Sequence, residues 1–166
     1  MSEIKFPTEV IELPSKGLVY PKTSPLSSGK VEIKYMTAKE EDILTSPNLI
    51  QQGVALDVLL KSLIVDKSIN LDDMIVGDKN AVLVGARILG YGKNYECTIG
   101  DEEAVIDLTS LKEKWLDSKI LMKQNKNEVE YTLPMSKMKV TFKFIDGHME
   151  KDIDTLNQSY EKIGES

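Results

Sequence analysis

The chain holds one cysteine, one histidine, one tryptophan and, among its 21 basic residues, a single arginine. Each scarcity closes off a kind of chemistry. A lone cysteine makes no internal disulfide, so stability must come from packing, and a reducing compartment is expected. One Cys and one His fall short of the close-spaced ligand pairs that zinc sites use, so neither metal nor cofactor is expected. With the net charge at −6, the chain lacks the excess of cations that nucleic-acid affinity requires, and one guanidinium leaves almost nothing for bidentate phosphate or base recognition. No apolar run is long enough to cross a membrane, and "MSEIKFPTEV" has neither the basic start nor the apolar stretch of a secretion signal. The expectations are no nucleic acid, no membrane, a cytosolic location and protein partners.

At 41% hydrophobic and 29% charged residues in 166, there is enough apolar material for one compact domain. Four of the six prolines fall in residues 3–29. They predict an extended arm with turns at "PSKG" and "PLSSGK", because each proline removes an N–H donor and holds its predecessor extended. Val10, Ile11, Leu13, Leu18, Val19 and Tyr20 are too many apolar residues for a solvated linker, so the arm should lie on its own domain or on a partner. The organisation expected is an arm over 1–29 and an α+β domain over 30–166.

"VEIKY" (31–35) alternates as a half-buried strand does. Thr37 and Glu40 stand at capping-box spacing, predicting a short helix that stops near Ser46-Pro47. "GVALDVLLKSLIV" (53–65) places Leu56, Leu59, Leu60, Leu63 and Ile64 on one face, with Asp57 and Lys61 as an i,i+4 pair opposite. A third helix is expected from an Asp78 N-cap to Gly90 or Gly92, with Gly85 allowing another helix to approach closely. Beyond Asn94 the period shortens to two: "NYECTI" and "EAVIDL" form one hairpin, "EVEYTL" and "MKVTFKF" a second, with a short helix in "TSLKEKW" between them. "MEKDIDTLNQSYEKI" closes with a helix whose Ile153, Leu156, Tyr160 and Ile163 recur at helical spacing. Three central helices, two hairpins and a C-terminal helix make an α+β fold with segregated elements.

Chemistry has few candidates. Cys97 with His148 could in principle form a nucleophile and base or a redox thiol, which is the enzymatic alternative, but no local motif supports it. Cys97 reads more simply as a small buried hydrophobe. No phosphate-binding or serine-nucleophile motif occurs: the glycines of "GARILGYGK" follow a helix, the reverse of the strand-to-helix order that aims N–H groups at phosphate. Adjacent acids such as Glu40/Glu41, Asp72/Asp73 and Glu102/Glu103 point apart and read as solvated surface. Arg87, on an apolar helix, needs a carboxylate or carbonyl partner if its head is buried. With Tyr91, Gly92 and Tyr95 it marks a structural joint, where a core helix hands over to a hairpin.

In order along the chain, "LPSKGLVYP", "IKYMTAKEEDIL", "RILGYGKNYEC", "YTLPMSKMKVTFKF" and "MEKDIDTLNQSYEKI" resemble the baseplate hub assembly proteins of T-even-type contractile-tailed bacteriophages. That resemblance implies a non-enzymatic tail-morphogenesis protein with baseplate hub or tail proteins as partners. It would act in the cytoplasm of an infected bacterium or within the virion tail baseplate, as a subunit or an assembly chaperone. Hub symmetry would favour a ring, which makes a homo-oligomer possible. Relatives often carry a Cys-x-x-Cys-like pair after the tyrosine of the joint, whereas "YECTIGDEEAVIDL" keeps only Cys97, so no metal comes with the resemblance. Leu13, Pro14, Lys16, Gly17, Leu18 and Tyr20 are the expected docking residues of the arm, since proline-fixed extended segments lose little entropy on binding.

Overall fold

A computed structural model describes residues 7–111 and 126–164. The fold is α+β. In chain order the described elements are β1 (Thr8–Glu12), β2 (Lys30–Lys34), α1 (Ala38–Thr45), α2 (Pro47–Gln51), α3 (Ala55–Leu63), α4 (Val76–Tyr91), β3 (Asn94–Ile99), β4 (Glu102–Asp107), β5 (Val129–Thr132), β6 (Lys139–Phe142) and α5 (Gly147–Ile163). The strands form three antiparallel pairs, β1–β2, β3–β4 and β5–β6. The last two are the expected hairpins. The first crosses the boundary expected at residue 29, with Val10 opposite Glu32 and Glu12 opposite Lys30.

Residues 7–29 are therefore not an extended arm. β1 enters the sheet, and the loop that follows folds back so that Leu13, Val19, Tyr20 and Leu26 are all at most 4% exposed. Burying side chains of this size is worth about 1.5–3 kcal/mol each, which a solvated segment would forgo. Apolar content outweighed the extended bias of the prolines. The loop closes through a close backbone approach: Gly17 has φ +75° and Gly29 has φ +70°, and a Cβ on Gly17 would lie 2.4 Å from the Ser27 carbonyl oxygen. Leu13 N–H donates to the Gly29 carbonyl at 2.8 Å, continuing the β1–β2 ladder into the loop.

The core joins this loop and β2 to the helices. Val31 and Ile33 face inward from β2, Leu59, Leu60 and Leu63 from α3, and Val82 and Ala86 from α4. Ile64 and Val65 extend the sheet briefly, with Val65 N–H donating to the Glu32 carbonyl at 3.0 Å. Gly85 does provide a close approach, but to a strand: Ile11 of β1 sits over it, where a Cβ would come within 2.6 Å of Ile11 Cδ1. Leu56, expected on the buried face of α3, is half exposed. Asp57 pairs with Lys79 at 2.7 Å rather than with Lys61, and Lys79 also reaches Glu150 at 3.4 Å, so one ammonium ties α3, α4 and α5 together.

The capping box is formed. Glu40 accepts from the Thr37 N–H at 3.0 Å and the Thr37 hydroxyl at 2.5 Å. Asp78 does not cap α4; Ile75 holds the N-cap position and Asp78 lies within the first turn. Of the helix expected in "TSLKEKW", Leu108–Ser110 is a single 3-10 turn, and residues 112–115 lie outside the described residues.

Candidate interaction sites

The six residues expected to dock a partner mostly face inward. Leu13, Gly17 and Tyr20 are buried, Pro14 and Leu18 are half-buried, and only Lys16 is exposed. Ser15, between them, is held by Asp78: its N–H donates to Oδ1 at 2.9 Å and its hydroxyl to Oδ2 at 2.5 Å. The Tyr20 hydroxyl donates to the same Oδ2 at 2.6 Å and accepts from the Ile75 N–H at 3.1 Å. Burial, and then the neighbouring Asp78, push the Tyr20 phenol above its ordinary range. This network fastens the loop to the start of α4. It wraps the Ser15–Tyr20 loop onto its own domain.

The joint has the geometry of a stacked helix terminus. The Arg87 guanidinium donates to the Gly92 carbonyl at 3.2 Å and lies 4.8 Å from the Tyr91 ring centre and 5.7 Å from that of Tyr95. No ion pair to Arg87 is present among the described residues; a carbonyl and two aromatic faces take its charge instead. Gly92 supplies the positive φ, +81°, that ends α4 and turns the chain into β3.

Cys97 and His148 are not brought into a catalytic pair. Cys97 is half-buried on β3 opposite Ala104. His148 lies exposed on α5 with Nε2 3.0 Å from Asp73 Oδ1, and that hydrogen bond lifts the imidazole above its ordinary value. Among the described residues no three of His, Cys, Asp and Glu are grouped to hold a metal.

The buried carboxylate of Glu40 organises a different region. Beyond its cap, Oε1 accepts from Lys34 Nζ at 2.8 Å and from the Ser62 hydroxyl at 2.5 Å, joining β2, α1 and α3. Burial opposes its charge, but the bonds from Lys34, Ser62 and Thr37 prevail and hold the carboxyl well below the usual range. Around this anchor opens a groove of about 860 Å³. Lys34, Lys39, Lys61 and Lys67 stand along it, and Ile43, Val58 and the exposed Val65 give it apolar walls. Lys67 also caps α3, donating to the carbonyls of Lys61 at 2.8 Å and Ile64 at 2.5 Å. Burial and then the charges of Lys34 and Lys39 lower its pKa. Four lysines spread over residues 34 to 67 give no sequence motif, so the groove was not legible in advance.

Apolar side chains also stand uncovered outside the core. On β3–β4 these include Tyr95, Ile99 and Val105, the last 65% exposed. The β5–β6 hairpin carries Tyr131, Met138, Phe142 and, in its turn, Met135 at 94% exposure. On α5 they are Ile153, Leu156 and Tyr160, each about half exposed. No helix among the described residues is long and apolar enough to cross a membrane. No family model matches the chain, and no curated protein or solved structure matches it.

Proposed function

We propose that this protein is a non-enzymatic assembly factor or subunit of a contractile phage tail, helping to build the baseplate hub through protein–protein contacts. Two things support this reading: the succession of motifs from "LPSKGLVYP" to "MEKDIDTLNQSYEKI", and the distribution of uncovered apolar surface. The first carries the assignment to a phage tail, and the second supports action through protein–protein contacts. Large apolar side chains are left exposed on two hairpins and on α5, while the polar groups buried in the core serve to hold elements together. Large uncovered apolar surface marks regions that other proteins cover. An isolated two-stranded hairpin is marginally stable in water, so both β3–β4 and β5–β6 stand to gain from a partner that packs on them.

The test is affinity purification of the tagged protein from phage-infected cells, with mass spectrometry of its companions and of purified particles. Hub or tail proteins are expected to co-purify. Presence in particles assigns a structural subunit, and absence with the same companions assigns an assembly chaperone. Purification without any hub or tail protein overturns the reading.

A further inference from the structure

The groove around Glu40 and the outer face of α5 are complementary, and we infer that α5 of one copy docks in the lysine-lined groove of the next. This contact stands independently of whether the protein serves a phage tail. The groove presents the exposed Lys39 and Lys61 beside Lys34, which Glu40 holds, and Lys67, which caps α3; Glu32 also lines it, and Ile43 and Val65 are among its walls. What fits it is an acidic segment with an apolar stripe. The same chain supplies one. α5 carries the exposed Asp152 and Asp154, and its Ile153, Leu156 and Tyr160 recur at i, i+3 and i+7, each about half exposed. Asp152 is next to that stripe and forms no ion pair among the described residues.

The stripe from Ile153 to Tyr160 is about two helical turns long, roughly 11 Å. Because the groove and the helix are different surfaces, the contact is head-to-tail. It propagates into a ring if the rotation closes and into an open chain if it does not. Lysine ammoniums facing a carboxylate across an apolar seam set the register, and added salt weakens them.

Sedimentation of the full chain, from micromolar to near-millimolar concentration, tests this. Wild type is expected to grow with concentration and to dissociate as salt is raised. Two variants, Lys39→Glu/Lys61→Glu in the groove and Leu156→Gln/Tyr160→Gln on the helix, are each expected to remain monomeric with unchanged melting, since all four side chains lie at the surface. Mixed together they must form a 1:1 dimer that grows no further, because one supplies the intact helix and the other the intact groove. Adding Asp152→Lys to the groove variant is expected to restore part of its self-association. A wild type that stays monomeric overturns the inference, as does self-association that persists in either variant or a mixture that forms no dimer.

Discussion

Replacing Asp78 by alanine removes the acceptor that ties the Ser15–Tyr20 loop to α4. The side chain is 0% exposed and takes three hydrogen bonds, from the Ser15 N–H at 2.9 Å, the Ser15 hydroxyl at 2.5 Å and the Tyr20 hydroxyl at 2.6 Å. Each orphaned buried donor costs about 1–3 kcal/mol. The two hydroxyls can rotate toward other acceptors and the Ser15 N–H cannot, so the sum is about 3–5 kcal/mol. For a domain of ordinary stability, about 5–15 kcal/mol, that is at least about a fifth of the total. Urea denaturation followed by circular dichroism reads it directly: with a slope near 2 kcal/mol per molar, the midpoint falls by about 1.5–2.5 M. Tyr20→Phe, which also deprives the Ile75 N–H of its acceptor, is expected to cost about 1–3 kcal/mol. Because the two residues share a bond, the double variant should lose less than the sum of the singles. A midpoint shift under about 0.5 M for Asp78→Ala, or strict additivity with Tyr20→Phe, would refute the claim that this network fastens the loop.

Other outcomes follow from the same structure. Deleting residues 1–29 should abolish cooperative unfolding rather than remove a docking arm, because it takes β1 and four core side chains with it; a truncated protein that melts like wild type would contradict this. Glu40 is held as a carboxylate below its ordinary pKa of 4.5, so its contribution is complete above that value and fades as pH falls below it. Wild type should therefore lose stability more steeply than Glu40→Gln in acid titrations below about pH 4.5, and parallel curves would count against the Lys34–Ser62–Thr37 anchor. Gly17→Ala forces a positive φ on a residue with a Cβ and drives it into the Ser27 carbonyl, for an expected loss of about 2–4 kcal/mol in denaturant melts. Arg87→Ala removes two aromatic contacts and one carbonyl bond at the joint; about 1 kcal/mol of global stability is at stake, with faster amide exchange in β3–β4 as the sharper readout, and unaltered exchange there would argue against the joint.

What could be read from the linear chain was what acts over a few residues. Thr37 and Glu40 are three apart, and their capping box formed as their spacing predicts. The strands from Asn94 to Asp107 are joined by one short turn, and the two strand-like segments flanking the Gly-Asp-Glu turn identified them as a hairpin. Arg87, Tyr91, Gly92 and Tyr95 fall within nine residues, so the joint needed only a helix end to bring them together. The α+β class followed from the same local signals. The composition of residues 3–29 was ambiguous for a physical reason: prolines constrain dihedrals locally and argue for extension, while the apolar side chains among them are satisfied only by a surface that the local sequence does not contain. Packing decided it, placing Leu13 and Tyr20 in the core and pairing β1 with β2.

Longer-range partnerships belonged to the tertiary structure alone. Asp78 meets Ser15 across 63 residues and Lys79 meets Glu150 across 71, distances over which side-chain identity carries no register. The lysine groove gathers residues from β2, α1 and α3 and from the chain just beyond α3, and it exists only because the Glu40 carboxylate, Lys34 and Ser62 are drawn together. The naked stripe on α5 was visible as a periodicity but not as an exposed surface, since helical spacing tells which side chains share a face and only packing tells whether anything covers it.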